Sequence, residues 1–177
     1  MVSSRIDMDH VDSFVVGVLG EPGSRTFFFQ ARGLIDGRTG VVSFKCEKVQ
    51  AALLAEAMSK LLGDFPLGLG IDSGPWEMLT SPVLPEWSVG TIQLGFEQAE
   101  DRVVVFLQEV VELEEGVDPD SIDLDSIDVG RARFQLSRAQ ASAIVANVPS
   151  IIAAGRPLCP VCGSTIETTG YTCSCFN

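Results

Sequence analysis

The chain has 177 residues, 46% apolar and 20% charged, and its 12 Lys and Arg against 24 Asp and Glu leave a net charge of −12. That length makes one compact unit with a small appendage and is enough to bury a core. The acidic balance speaks against holding a polyphosphate through bulk charge, and no apolar run reaches the roughly 18 residues of a membrane span. The N-terminal MVSSRIDMDHVDS has neither the basic nor the apolar region of a signal peptide, so a cytoplasmic protein is expected.

In chain order, the runs Phe14 to Leu19, Arg25 to Arg32 and Thr39 to Cys46 alternate or are aromatic and read as strands, separated by the turn formers Glu21-Pro22-Gly23 and Asp36-Gly37. From Glu47 to Leu62 the apolar positions Ala51, Leu54, Ala55, Met58, Leu61 and Leu62 recur at three- and four-residue intervals, and Gly63 stands where such a helix would end. The order then repeats, with strands at Trp87 to Phe96, Arg102 to Leu113 and Val129 to Leu136 and a helix from Ser137 to about Ala154. Val16-Gly17-Val18 answers Val89-Gly90-Thr91, Arg25 answers Arg102, and Phe44 precedes Gln50-Ala51 by the same spacing at which Phe134 precedes Gln140-Ala141. Such self-similarity signals duplication.

The expected fold class is α+β: two pseudo-repeated β-β-β-α units, halves 12–63 and 86–155 joined by a linker 64–85. They form antiparallel sheet, either as two paired sheets or as one barrel-like sheet, covered by two helices. Residues 1–155 make this body, and 156–177 a zinc-ribbon-like tail.

The link between the halves, GDFPLGLGIDSGPWEMLTSPVLPE, is far longer than the usual 2 to 8 residues. Its apolar content fits a segment lying across the sheet to complete the core. The functional alternative to that plainer reading is a docking surface for a protein partner, with Trp76, Met78 and the neighbouring Trp87 as anchors. A second stretch concentrates carboxylates at Glu112, Glu114, Glu115, Asp118, Asp120, Asp123, Asp125 and Asp128. It lacks the glycine and terminal glutamate of a calcium loop, which leaves a solvated acidic loop.

The tail carries Cys159-Pro160-Val161-Cys162-Gly163 and, after ten intervening residues, Cys173-Ser174-Cys175. Four thiolates at such spacing suit one tetrahedral Zn²⁺. A closed four-cysteine site leaves no position for water, so the metal is expected to be structural. A redox-labile zinc-thiol switch and disulfides are the rival readings. Cys46, ending a predicted buried strand, reads as core.

Catalysis has little to work with, because the only histidine, His10, lies in a polar stretch and no nucleophile-base pair is legible. The glycines Gly17, Gly20 and Gly23 sit in a strand-to-strand turn with no following helix, unlike a phosphate loop. Arg25 and Arg102, each opening a middle strand, are candidate anion ligands, with surface pairing to Glu21 and Asp101 as the plainer alternative.

Several segments together carry a resemblance. Gly20 to Arg32 (GEPGSRTFFFQAR), Glu47 to Gln50 (EKVQ) with Leu54 to Glu56, Glu86 to Ile92 (EWSVGTI), Arg138 to Ala141 and Ala153 to Gly163 (AAGRPLCPVCG) resemble an actinobacterial conserved-hypothetical family, domain of unknown function 3090. The resemblance spans nearly the whole chain and implies no assigned activity. Its members are often encoded beside a histidine-phosphatase-like and a phosphatidylinositol-kinase-like protein, which implies a shared pathway. The family's tail usually continues Gly-His-x-Cys-Pro-Arg, whereas here Tyr171 stands in the histidine's place, so the resemblance implies that Cys175 supplies the fourth ligand.

The expected function is therefore a non-enzymatic zinc-binding scaffold or adaptor that contacts a protein partner, without nucleic acid or membrane. The alternative is an enzyme accessory or sensor holding a small anionic ligand between the halves.

Overall fold

The computed structural model describes residues 4–35, 37–64, 76–111, 128–155 and 162. The elements run β1 (Arg5–Met8), β2 (Val11–Leu19), β3 (Thr26–Ile35), β4 (Arg38–Cys46), α1 (Lys48–Asp64), β5 (Pro85–Glu97), β6 (Arg102–Glu109), β7 (Arg131–Ser137) and α2 (Arg138–Ala153). Strand β7, RARFQLS, buries every second residue, as a strand with one core face must. Helix α1 buries Ala51, Leu54, Ala55 and Met58, one stripe at helical spacing. The hairpin between β3 and β4 turns through Gly37 at φ 78°, a conformation that costs a residue with a Cβ.

All seven strands form one mixed sheet in the order β1-β7-β6-β5-β4-β3-β2. The meanders β2-β3-β4 and β5-β6-β7 are antiparallel within themselves, as expected from their short turns. Purely antiparallel sheet is not what joins them. Strands β4 and β5 pair in parallel, because α1 carries the chain back before the second meander begins, and β1 pairs in parallel with β7.

Strands β1 and β2 are separated only by Asp9 and His10, yet they stand at opposite ends of the strand order. The two edges are therefore halves of one bent strand, and the sheet curls until its ends meet. Phe14 of β2 touches Phe134 of β7 with ring centroids 5.4 Å apart, and Phe44 bridges Phe134 and Trp87 at 5.7 and 4.5 Å. One curled sheet, the second of the two arrangements the sequence left open, is the one found. Phe29, Phe44 and Phe134 are completely buried inside it, joined by the apolar stripes of both helices. Cutting any of these rings to alanine would cost about 3–5 kcal/mol.

Each helix is fixed to the sheet by the same device. The Glu47 N–H donates to Gln50 Oε1 at 2.8 Å, while Gln50 Nε2 donates to the carbonyls of Val89 at 2.9 Å and Gly90 at 3.1 Å. The Ser137 N–H donates to Gln140 Oε1 at 2.7 Å, and Gln140 Nε2 donates to the carbonyls of Val11 at 2.8 Å and Asp12 at 3.1 Å. Both targets lie at register shifts, between Val11 and Ser13 in β2 and between Val89 and Thr91 in β5, where a bulge frees carbonyls from the ladder. Each glutamine thus completes a helix cap and satisfies the bulge beneath it.

This geometry corrects the residue matching made from sequence. Gly90 lies at a bulge whose counterpart is Asp12, whereas Gly17, opposite Phe28, has Gly95, opposite Val104, as its counterpart. Asp101, not Arg102, stands immediately before β6 as Arg25 stands immediately before β3.

The described part of the long link crosses the outer face of the first meander. Leu79 sits over Gly17, where an added Cβ would come within 2.3 Å of its Cγ. Gln30 Nε2 donates to the Thr80 carbonyl at 3.0 Å, and the Thr80 N–H returns a bond to Gln30 Oε1 at 2.6 Å. Arg32 pairs with Glu77 at 3.2 Å. Residues 76–84 are thus a strap that covers this face.

Candidate functional site

At one corner of the body the start of β3, the end of β4, the first turn of α1 and the last turn of α2 surround a cavity of about 760 Å³. Its lining includes Arg25, Lys45, Cys46, Glu47, Lys48 and Gly155. The lining residues thus include three cations and one carboxylate in a protein whose net charge is −12. Among the described residues, Arg25 Nε is buried with no hydrogen-bond partner. Helix α1 opens on Lys48 with no acidic residue in its first turn, so the positive end of its dipole adds to the same field. Lys48 Nζ reaches the end of α2, lying 3.8 Å from where a Cβ on Gly155 would stand.

The opposite corner shows what is different here. Arg138 opens α2 as Lys48 opens α1, and Asp101 precedes β6 as Arg25 precedes β3. There Arg138 Nε donates to Asp101 Oδ1 at 2.7 Å, with the guanidinium carbon 4.7 Å from the Phe96 ring centroid and the side chain only 7% exposed. The second corner is closed by an acid and a base. In the first, both places hold bases. A buried guanidinium N–H without an acceptor costs about 1–3 kcal/mol.

Cys46 lies at the cavity wall. Burial pushes its thiol up to about 12, with the Glu47 charge adding to the rise and a backbone hydrogen bond from Phe29 opposing it. It is therefore a neutral, unreactive wall residue near pH 7. The corner thus gathers cationic residues beside the N-terminus of α1.

The other sequence-predicted residues are scattered. Arg102 is partly buried at the start of β6, in register with Glu97 and Ser137, and is not part of the Arg25 cavity. The two arginines do not converge, and the expected Arg102–Asp101 pair is replaced by Arg138–Asp101. Trp87 is 7% exposed with its ring against Phe44 and its Nε1 over Gly130, so it is a core residue rather than a docking anchor. Trp76 is partly buried against the core, while Met78 is 86% exposed. Cys162 is exposed, and Cys159, Cys173, Cys175 and residues 112–127 lie outside the described residues. Among the described residues, no three of His, Cys, Asp and Glu group to hold a metal, and no helix is long and apolar enough to cross a membrane.

Lys45 and Lys48 were not legible as site residues, since one lies next to the end of a strand and the other starts a helix. The available signal was a broken rule: a lysine in the first turn of a helix opposes the dipole unless something negative arrives.

Fold and corner together define an α+β protein built on one curled, mixed sheet, with two helices capped onto its bulges and a basic cavity at one corner. The chain belongs to the family described as protein of unknown function (DUF3090), whose family model matches residues 6–173. No curated protein and no solved structure matches the chain.

Proposed function

We propose that this protein is a non-enzymatic scaffold that binds a small anionic ligand at the Arg25 corner and carries one structural zinc ion in its C-terminal tail. The observation that supports the anion reading most is Arg25 Nε, buried without a partner beside Lys45 and Lys48, where the other corner has the Asp101–Arg138 pair. A phosphate or carboxylate oxygen accepts from the Arg25 guanidinium, and the lysines neutralise the remaining charge. The first-turn amides of α1 extend the same donor set.

The two β-β-β-α halves are copies of one unit in this reading. Support comes from the matched glutamines, each reaching a bulge in the first long strand of the other half. Divergence at one corner then replaced an internal acid by a ligand-seeking base. For zinc, the support is the Cys159-Cys162 and Cys173-Cys175 spacing. A protein-partner role for the scaffold is favoured by the strap, which leaves Met78 and Leu84 86% and 72% exposed.

Calorimetric titration of inorganic pyrophosphate at low ionic strength tests the anion reading on the parent, Arg25→Gln and Arg102→Gln. Saturable binding that Arg25→Gln weakens at least about tenfold and Arg102→Gln leaves unchanged is expected. Equal binding by the parent and Arg25→Gln would refute it.

A further inference from the structure

The two outer faces of the sheet are treated differently. On the first meander, the strap lies over a row of Val15, Gln30 and Ser43, and Gln30 reads the strap's backbone with both atoms of its amide. On the second meander the corresponding row is Gln93, Phe106, Arg133 and Asp7, next to a row of Thr91, Gln108, Arg131 and Arg5. No described segment crosses these rows. They line a groove of about 310 Å³, and Phe106 in its floor is 41% exposed.

The charges in this groove are arranged for a visitor. Arg133 is held by Asp9 at 2.6 Å and Asp7 at 2.9 Å. Arg5 and Arg131, by contrast, are direct neighbours in the parallel ladder, both line the groove, and neither makes an ion pair among the described residues. Like charges set side by side across a ladder repel, and a carboxylate placed between them reverses the sign of that interaction. Gln93 and Gln108 add two side-chain amides, the group with which Gln30 binds the strap's backbone over the first meander.

We infer that this face docks an extended acidic segment of a partner protein. A carboxylate lies between Arg5 and Arg131, an apolar residue covers the Phe106 ring, and Gln93 and Gln108 bond the peptide backbone. The strap is the internal precedent: it lies across the first meander with Glu77 paired to Arg32 and its backbone bonded to Gln30.

The probe is a fluorescein-labelled peptide copying residues 76–84, WEMLTSPVL, read by fluorescence anisotropy against the full chain. Saturable binding is expected, weakened at least about tenfold by Arg131→Glu, by Phe106→Ala and by replacing the peptide's glutamate with glutamine. Arg38→Glu, an exposed charge change at the start of β4, should leave it unaltered. Circular dichroism and unfolding midpoints establish that each variant is folded. Absence of saturable binding, or binding that folded Arg131→Glu and Phe106→Ala both retain, would overturn the inference. So would a concentration-dependent dimer that Arg131→Glu dissociates, since the occupant would then be a second copy of the chain.

Discussion

Replacing Gln140 by alanine removes the device that ties α2 to the bent first strand. Three bonds disappear: the Ser137 N–H loses its acceptor at 2.7 Å, and the carbonyls of Val11 and Asp12 lose donors at 2.8 and 3.1 Å. The lost cap costs about 1 kcal/mol. Each further bond contributes about 0.5–1.5 kcal/mol, with the one to exposed Asp12 at the low end because water replaces the donor. The total is about 2–3 kcal/mol, or a midpoint lower by roughly 5–10 °C for a domain of this size. Urea unfolding followed by circular dichroism measures it. Gln50→Ala should cost about as much, since it has the same three kinds of bond, whereas Ser137→Ala should cost only about 1 kcal/mol. If Gln140→Ala and Gln50→Ala both unfold within about 0.5 kcal/mol of the parent, the bulge-locking role of these glutamines is wrong.

Three other outcomes are expected. Gly17→Val drives a side chain into Leu79 and should lift the strap, seen as a red shift in tryptophan emission, and Leu79→Ala should restore the parent spectrum; a Gly17→Val protein with unchanged emission would contradict the contact. Burial raises the Cys46 thiol from 9.0 to about 12, so the folded chain keeps a proton that the unfolded chain releases. Stability is therefore full below about pH 9 and falls as pH rises toward about 12, with a slope of at most about 1.4 kcal/mol per unit that Cys46→Val abolishes; identical slopes for parent and variant would refute the assignment. Mass spectrometry of protein purified without oxygen or chelator should find one zinc per chain, and a Cys175→Ala protein holding zinc as tightly as the parent would exclude Cys175 as a ligand.

The helices were legible because their apolar residues, such as Ala51, Leu54, Ala55 and Met58, repeat at the period of the helix itself. The strands of the two meanders were legible for a similar reason. Strand β1 was not, since RIDM offers only Ile6 and Met8 to the core and its ladder partner is more than a hundred residues away in β7. Hydropathy records which face of a strand is buried but not which strand lies beside it, so the parallel junctions and the closure through Asp9 and His10 had no local signal. At the corner, Arg25 was found from its place at the start of a strand. The residue in the same place before β6 is Asp101 rather than Arg102, one position away from the arginine that identity had matched to it.

The charge reversal Arg25→Asp tests the anion corner most directly, by unfolding midpoints with and without inorganic pyrophosphate. The variant places an acid opposite Lys48, as Asp101 stands opposite Arg138. It should be more stable than the parent without the anion and indifferent to adding it, while the parent should gain stability with pyrophosphate concentration as binding to the folded state requires. A parent that ignores pyrophosphate, with an Arg25→Asp variant less stable than it, would contradict the account.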